Sequence, residues 1–268
     1  MKKFIFAAVL ALFAAQGIKA QVQNHAFKGG EFLSYNLYYN WKFVWVKAGS
    51  ASMSTVESLY KGNKAYRASL TTRGNNRVDE MFVLRDTLLS YSTMDLNPLY
   101  FRKGAREGKR YTVDEVWYSY PATGNQVNLT QRRLRKDGTS KTIKTTATKG
   151  VNDMLNIFLK ARNLNPEGWE KGHVENFNIA DGNGLDKAQL RYRGKSTVKA
   201  DNGKKYRCLE LSYMELDGNK YKELVRFYVT DDQNHIPVRL DMFLKFGSAK
   251  AYLTAMRGNK NPIASEVK

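Results

Sequence analysis

Residues that carry out covalent catalysis or bind metals are scarce in this chain. It has three histidines and one cysteine in 268 residues. A nucleophilic Ser or Cys requires a nearby base, usually His, and zinc requires clustered His or Cys ligands. His25, His173 and His235 lie far apart in the sequence, and none stands at a ligand spacing from Cys208. We therefore predict no catalytic residue of this kind, no metal site and no cofactor.

Acidic residues offer the remaining route to catalysis, because glycoside hydrolysis needs only two carboxyl groups that face one another. The chain has three acidic doublets: Asp79 with Glu80, Asp114 with Glu115, and Asp231 with Asp232. Adjacent residues on a strand point to opposite faces, so a working pair would have to come from different strands. We predict that the protein is not an enzyme, and we keep a carbohydrate-active hydrolase using two carboxylates as the alternative.

Aromatic and basic side chains are the other groups that could bind a ligand. The chain has 16 Tyr and 4 Trp, and 44 Lys and Arg against 25 Asp and Glu give a formal net charge of +19. Aromatic rings on strands can hold sugar faces or lipid chains, although core packing would use the same residues. Basic residues can likewise simply solvate strands and protect sheet edges. The predicted ligand-binding residues are Tyr35, Tyr39, Trp41, Trp45, Trp117, Arg133, Arg191 and Arg193.

Residues 1–20 have the composition of a secretory signal peptide. Lys2 and Lys3 precede a short apolar run, and Ala20 precedes Gln21. A membrane anchor would need about 20 apolar residues. We therefore predict cleavage, no transmembrane segment in the mature chain, and a periplasmic, cell-surface or secreted location. Export makes nucleic acid an improbable partner for the basic charge, so the expected partners are lipid, lipopolysaccharide or acidic glycan.

The elements that must position these residues are mainly β-strands. Apolar and polar residues alternate with a period of two through most of the chain, and turn sequences such as Lys136-Asp137-Gly138 separate the runs. Gly49 within an early run is typical of a bend in a curved sheet. We predict one antiparallel β domain over 21–268, built as one large, strongly curved sheet or an open barrel or sandwich.

A single segment departs from this alternation. Over 151–163 the apolar residues recur every three or four positions, which predicts an amphipathic helix, with Asn152 or Asp153 as its N-cap. Such a helix must bury its apolar face, most simply against the sheet or across the mouth of a barrel.

Several segments together resemble an exported bacterial family. They are residues 29–35, 46–51, 153–158 and 227–238, followed by Phe246 and Gly247. The chain resembles the family known as domain of unknown function 3108, which implies a single exported, mostly antiparallel β domain and supplies no catalytic residues. The resulting prediction is an exported cell-envelope protein that binds an amphiphilic or acidic ligand without catalysis. A structural protein that adheres to the envelope is a further alternative.

Overall fold

The computed structural model describes residues 23–41, 44–76, 83–244 and 247–268. The predicted signal peptide and the doublet of Asp79 and Glu80 lie outside these residues.

Sixteen strands and one helix α1 (Met154–Ala161) make up the regular structure of the described residues. The strands are β1 (Glu31–Trp41), β2 (Val44–Tyr60), β3 (Asn63–Gly74), β4 (Leu84–Ser92), β5 (Pro98–Glu107), β6 (Arg110–Ser119), β7 (Gln126–Arg135), β8 (Ser140–Thr148), β9 (Val151–Asn152), β10 (Val174–Ala180), β11 (Leu185–Lys199), β12 (Lys205–Asp217), β13 (Lys220–Thr230), β14 (Pro237–Phe243), β15 (Ser248–Arg257) and β16 (Glu266–Val267).

All of these strands belong to one nearly closed, barrel-like sheet. Its order is β8-β7-β6-β5-β4-β3-β2-β1-β15-β14-β13-β12-β11-β10-β9, and β16 pairs with β12. The neighbours are antiparallel except for β9 and β10, which run parallel. Most neighbours are consecutive hairpin partners, while the pairing of β1 with β15 joins the two ends of the chain. The structure confirms the prediction of a mainly β, antiparallel and strongly curved sheet with one helix.

Core side chains and α1 pack on the concave side of the sheet. One hydrophobic cluster contains Phe101 and Leu129 from one half of the sheet, Leu253 from the other half, and Leu155 and Leu159 from α1. Each of these residues is buried. The helix therefore acts as part of the core, which agrees with the prediction that its apolar face packs against the sheet.

The helix is shorter than the predicted range because other contacts hold both of its flanks. Val151 and Asn152 pair with β10, so helical structure begins only at Met154. Asp153 is the N-cap, and its Oδ1 accepts hydrogen bonds from the backbone N–H groups of Leu155 at 2.9 Å and Asn156 at 2.8 Å.

A buried ion pair holds the residue after the helix. The Nη2 of Arg162 donates to Oε1 of Glu31 at 2.8 Å, and both side chains are 2% exposed. Arg162 Nε also donates to the carbonyl oxygen of Asn234 at 3.0 Å. His235 Nδ1 lies 2.7 Å from the carbonyl oxygen of Arg162, and burial lowers the pKa of this histidine. These contacts join β1, α1 and the loop before β14, so His235 has a structural role.

Candidate functional site

The outer face of β3–β7 can be assigned because the residues that point inward to the core are known. Ala68, Leu88, Phe101, Val116 and Leu129 belong to the core cluster, one from each strand. Because successive side chains on a strand alternate between faces, their immediate neighbours in sequence point outward. Outward residues that are paired across strands then form continuous rows on the surface.

One of these rows is aromatic. Tyr91 pairs with Tyr100, and Tyr100 pairs with Trp117, on three successive strands. Tyr60, at the end of β2, joins them, with its ring centre 5.2 Å from that of Tyr91. The ring centres of Tyr100 and Trp117 are 5.6 Å apart. All four rings are partly exposed. We call these four residues the aromatic row.

An acidic residue and an arginine border the aromatic row. Tyr100 donates its hydroxyl hydrogen to Oε1 of Glu115 at 2.6 Å. Arg132 Nε donates to Oε2 of the same carboxylate at 2.9 Å, and its guanidinium lies 5.4 Å from the centre of the Trp117 ring. Burial, and then the Glu115 carboxylate, raise the pKa of Tyr100. The phenol is therefore a neutral hydrogen-bond donor, and Arg132 is held beside an aromatic ring.

The rest of this outer face is cationic. Arg73 is paired with Arg85 and Arg85 with Arg106 across three neighbouring strands, and all three are exposed. Like charges directly opposite one another on a sheet repel. The outward basic residues of β3–β8, which we call the outer cations, are Arg67, Arg73, Arg85, Arg102, Arg106, Arg132 and Lys144. Among the outward positions of β3–β7 that the structure describes, Glu115 is the single acidic residue.

A surface hollow of about 450 Å³ lies at the start of β6 and the end of β7. Tyr111 in its wall is the cross-strand partner of Arg106. The hollow is lined by Arg110, Tyr111, Thr112, Arg135, Lys136 and Asp137. The aromatic row and this hollow therefore lie towards opposite ends of the same strands.

The structure places two of the predicted ligand-binding residues in internal contacts. Tyr35 is 6% exposed and donates its hydroxyl hydrogen to the carbonyl oxygen of Pro237 at 3.1 Å. Arg133 pairs with Asp114, with Nε 2.6 Å from Oδ1. Both residues stand on the inward-facing side of their strands, away from the aromatic row.

The other predicted residues lie in three separate places. Trp117 belongs to the aromatic row. Tyr39 and Trp45 lie at the β1–β2 hairpin, where Trp41 also belongs to β1 although its side chain is outside the described residues. Arg191 and Arg193 are on β11, and Arg193 Nε donates to the hydroxyl oxygen of Ser212 at 2.9 Å. The eight residues therefore do not form one site.

The acidic doublets within the described residues have clear partners. Asp114 and Glu115 point to opposite faces and bind Arg133 and Arg132, respectively. Asp231 pairs with Lys195 at 2.9 Å. Asp232 accepts hydrogen bonds from Ser265, Thr230 and Asn234. The described residues contain no group of three or more His, Cys, Asp or Glu that could hold a metal ion.

The fold and the surface define a barrel-like β protein with a packed core on its concave side and with aromatic and basic residues on the outer face of β3–β7. The sequence profile of the family "Protein of unknown function (DUF3108)" matches residues 34–254, and the chain belongs to this family. No curated protein matches the sequence. No helix among residues 23–41, 44–76, 83–244 and 247–268 is long and apolar enough to cross a membrane.

Two solved structures resemble the chain. One is a β-barrel-like protein of domain of unknown function DUF1849 from Brucella abortus, with a TM-score of 0.54, 11% identity, and coverage of 87% of this chain and 98% of that one. The other is a protein with a YmcC-like fold from Bacteroides fragilis, with a TM-score of 0.37, 11% identity, and coverage of 87% and 99%. The first likeness supports the barrel-like fold alone.

Proposed function

We propose that this chain is an exported cell-envelope protein that binds an acidic glycan on the outer face of β3–β7 without catalysis. The observation that carries the proposal is the aromatic row lying on the same face as the outer cations. The signal-like sequence of residues 1–20 supports export.

The two parts of this face suit the two parts of an acidic sugar. The C–H face of a pyranose ring can pack on the ring of Tyr or Trp, whose polar atom remains available for a hydrogen bond. Guanidinium groups bind carboxylate, sulfate or phosphate substituents through paired hydrogen bonds. Neighbouring strands are about 4.8 Å apart, so successive rings of the row offer repeated contacts to a chain lying across the strands.

The outer face suits a ligand better than the concave side does. Core side chains and α1 pack on the concave side, so a lipid chain inserted among them would have to displace buried residues such as Leu155 and Phe101. Displacing a packed core costs its apolar contacts. The outer rings and cations are already partly exposed, and a ligand can reach them without rearrangement.

The test is isothermal titration calorimetry of the exported chain with three oligosaccharides: an oligogalacturonate, its neutral methyl ester, and a sulfated oligosaccharide. We expect binding of at least one acidic probe and none of the neutral ester, weakening with added salt because exposed charges are screened. We expect Trp117→Ala to weaken binding by about tenfold or more, which is the effect of removing roughly 1.4 kcal/mol of ring contact.

The matched control is Trp45→Ala, which removes a partly exposed tryptophan far from the aromatic row. This variant should bind the acidic probe like the parent chain. Equal losses in the two variants, equal binding of the neutral ester, or no saturable binding of either acidic probe would each contradict the proposal.

A further inference from the structure

Two neighbouring hairpins expose apolar side chains at one end of the sheet. Val44, Trp45 and Val46 begin β2, whereas Phe243 ends β14 and Leu244 follows it. Their exposed fractions range from 39% to 61%. We call these five residues the hairpin tip. They are large hydrophobic side chains of the kind that a folded domain normally covers when they lie together.

The β1–β2 hairpin is exposed because it extends beyond its neighbours. The pairing of β2 with β3 ends at Gly49, opposite Gly74, and beyond it Asn75 donates hydrogen bonds to the carbonyl oxygens of Lys47 at 2.6 Å and Ala48 at 2.9 Å. Among the described residues, Val44, Trp45 and Val46 pair with β1 alone. On the other side, the pairing of β1 with β15 ends at Tyr39. The start of β2 therefore projects from the sheet, and residues on both of its faces, Val44 and Trp45, are exposed.

The two hairpins lie against each other. Gly247, in the turn after β14, has a φ of +76°, and a Cβ built on it would lie 2.9 Å from the Tyr39 hydroxyl and 3.1 Å from the carbonyl oxygen of Asn40. A side chain at this position would separate the turn from the end of β1. The glycine thus allows the turn after β14 to lie against the end of β1, next to the start of β2.

Basic side chains lie beside the hairpin tip. The Lys250 ammonium lies 4.3 Å from the centre of the Trp45 ring, and the Arg226 guanidinium, which also pairs with Glu223, lies 5.9 Å from that of Phe243. Lys47, directly after Val46, is exposed. Apolar and aromatic side chains flanked by Lys and Arg are suited to the boundary between lipid headgroups and acyl chains, where cations meet phosphates and rings enter the apolar layer.

We propose that the hairpin tip docks on an anionic lipid surface. The formal net charge is +19 for the full sequence and +16 without Lys2, Lys3 and Lys19 of the predicted signal peptide. This excess favours a negatively charged occupant, and the cations at the tip favour it over an apolar groove in another protein. Val44 and Tyr60 are the two ends of the same 17-residue strand. Docking through the tip would therefore leave the aromatic row away from the bilayer and accessible to a glycan.

The test is co-sedimentation of the exported chain with vesicles of phosphatidylcholine containing phosphatidylglycerol, and with vesicles of phosphatidylcholine alone. We expect binding to the anionic vesicles and much weaker binding to the neutral ones. The double variant Trp45→Ser with Phe243→Ser should lower the affinity for anionic vesicles by about tenfold or more, because it removes most of the apolar area that enters the bilayer. Lys250→Glu should lower it as well, since it reverses one of the cations at the tip.

The matched control is Leu59→Ser, which removes a 64% exposed leucine near the other end of β2. It should bind vesicles like the parent chain. Thermal unfolding by circular dichroism checks that all variants fold, and titration with the acidic oligosaccharide should give the same affinity for the tip variant as for the parent. The oligosaccharide titration can therefore contradict the glycan proposal while vesicle binding supports the lipid proposal, and vesicle binding can contradict the lipid proposal while the titration supports the glycan proposal.

Three results would overturn the lipid proposal: no binding of the parent chain to anionic vesicles, equal binding to neutral vesicles, or equal loss in the Leu59→Ser control. If the parent chain is a dimer that does not bind vesicles, and the tip variant is a monomer, the occupant of the hairpin tip is a second copy of the chain instead.

Discussion

Asp153 shows at the residue scale how a polar group is kept inside this core. Its carboxylate is fully buried, caps α1, and accepts a hydrogen bond from the Ser90 hydroxyl at 2.9 Å. Burial raises its pKa to about 6, while these hydrogen bonds and the nearby Lys160 ammonium act in the opposite direction. The charge of Asp153 also contributes to the raised pKa values of Tyr118 and Tyr120. The cap is therefore built around a carboxyl group that titrates in mildly acidic solution.

This raised pKa predicts a pH dependence of stability. An unfolded aspartate titrates near pH 3.9, so between about pH 4 and pH 6 the folded chain binds more protons than the unfolded chain. The contribution of Asp153 to the free energy of unfolding must then fall as pH rises through this window and stay constant above it. Asp153→Asn keeps an oxygen acceptor for the cap but does not titrate. Between pH 4 and pH 7 its stability should rise relative to the parent chain by up to about 3 kcal/mol.

The measurement for Asp153→Asn is urea unfolding at several pH values, with Asp217→Asn at the exposed end of β12 as the control for the same chemical change. The control should follow the parent chain. A constant difference between Asp153→Asn and the parent across the window would show that burial does not shift the pKa of this carboxyl group.

Among the secondary-structure elements, α1 could be predicted to be a helix, but its length could not be predicted. Its apolar spacing and the Asp153 cap are local signals, and both are confirmed. The loss of its first turn to β9 could not be predicted, because the pairing of Val151 with Asn178 joins residues that are distant in sequence. The same reason explains why the Glu31–Arg162 ion pair was not predicted.

The packing of α1 gives a prediction for this element. Leu159 is 1% exposed within the core cluster, whereas Met154 in the same helix is 43% exposed. Leu159→Ala should lower the free energy of unfolding by about 2–5 kcal/mol, because it removes buried methyl groups and leaves a cavity. Met154→Ala should cost much less, since it vacates little buried volume. Urea denaturation midpoints measure both, and similar losses would mean that α1 is not held by the core.

The aromatic row was only partly predicted, because it depends on how the strands pair with one another. Trp117 was singled out from its residue type, but Tyr60, Tyr91 and Tyr100 were not, because their proximity depends on the register of β4, β5 and β6. Counting from the β5–β6 turn gives the pairing of Tyr100 with Trp117. The bulge next to Tyr91 shifts the pairing of β4 with β5 by one residue, so Tyr91 lies opposite Tyr100 rather than Leu99. Arg133 was predicted for the binding site because residue type does not reveal which face of β7 it occupies.

At the scale of the whole molecule, the sheet separates two environments. Its concave side carries the core and α1, and the outer face of β3–β7 carries the aromatic row and the outer cations. The hairpin tip lies at the opposite end of β2 from Tyr60. The alternating pattern of the sequence predicted the sheet, and Gly49 within an early run predicted its curvature. Neither could predict where α1 packs, because that depends on contacts between residues distant in sequence.

The most direct test of the account is hydroxyl-radical footprinting of the exported chain with and without a saturating acidic oligosaccharide, read by mass spectrometry. The account predicts that Tyr60, Tyr91, Tyr100 and Trp117 become protected when the ligand is added, while Trp45 and Leu59 are labelled as before. Protection confined to the hairpin tip or to core residues, or unchanged labelling of the four aromatic residues despite binding, would contradict it.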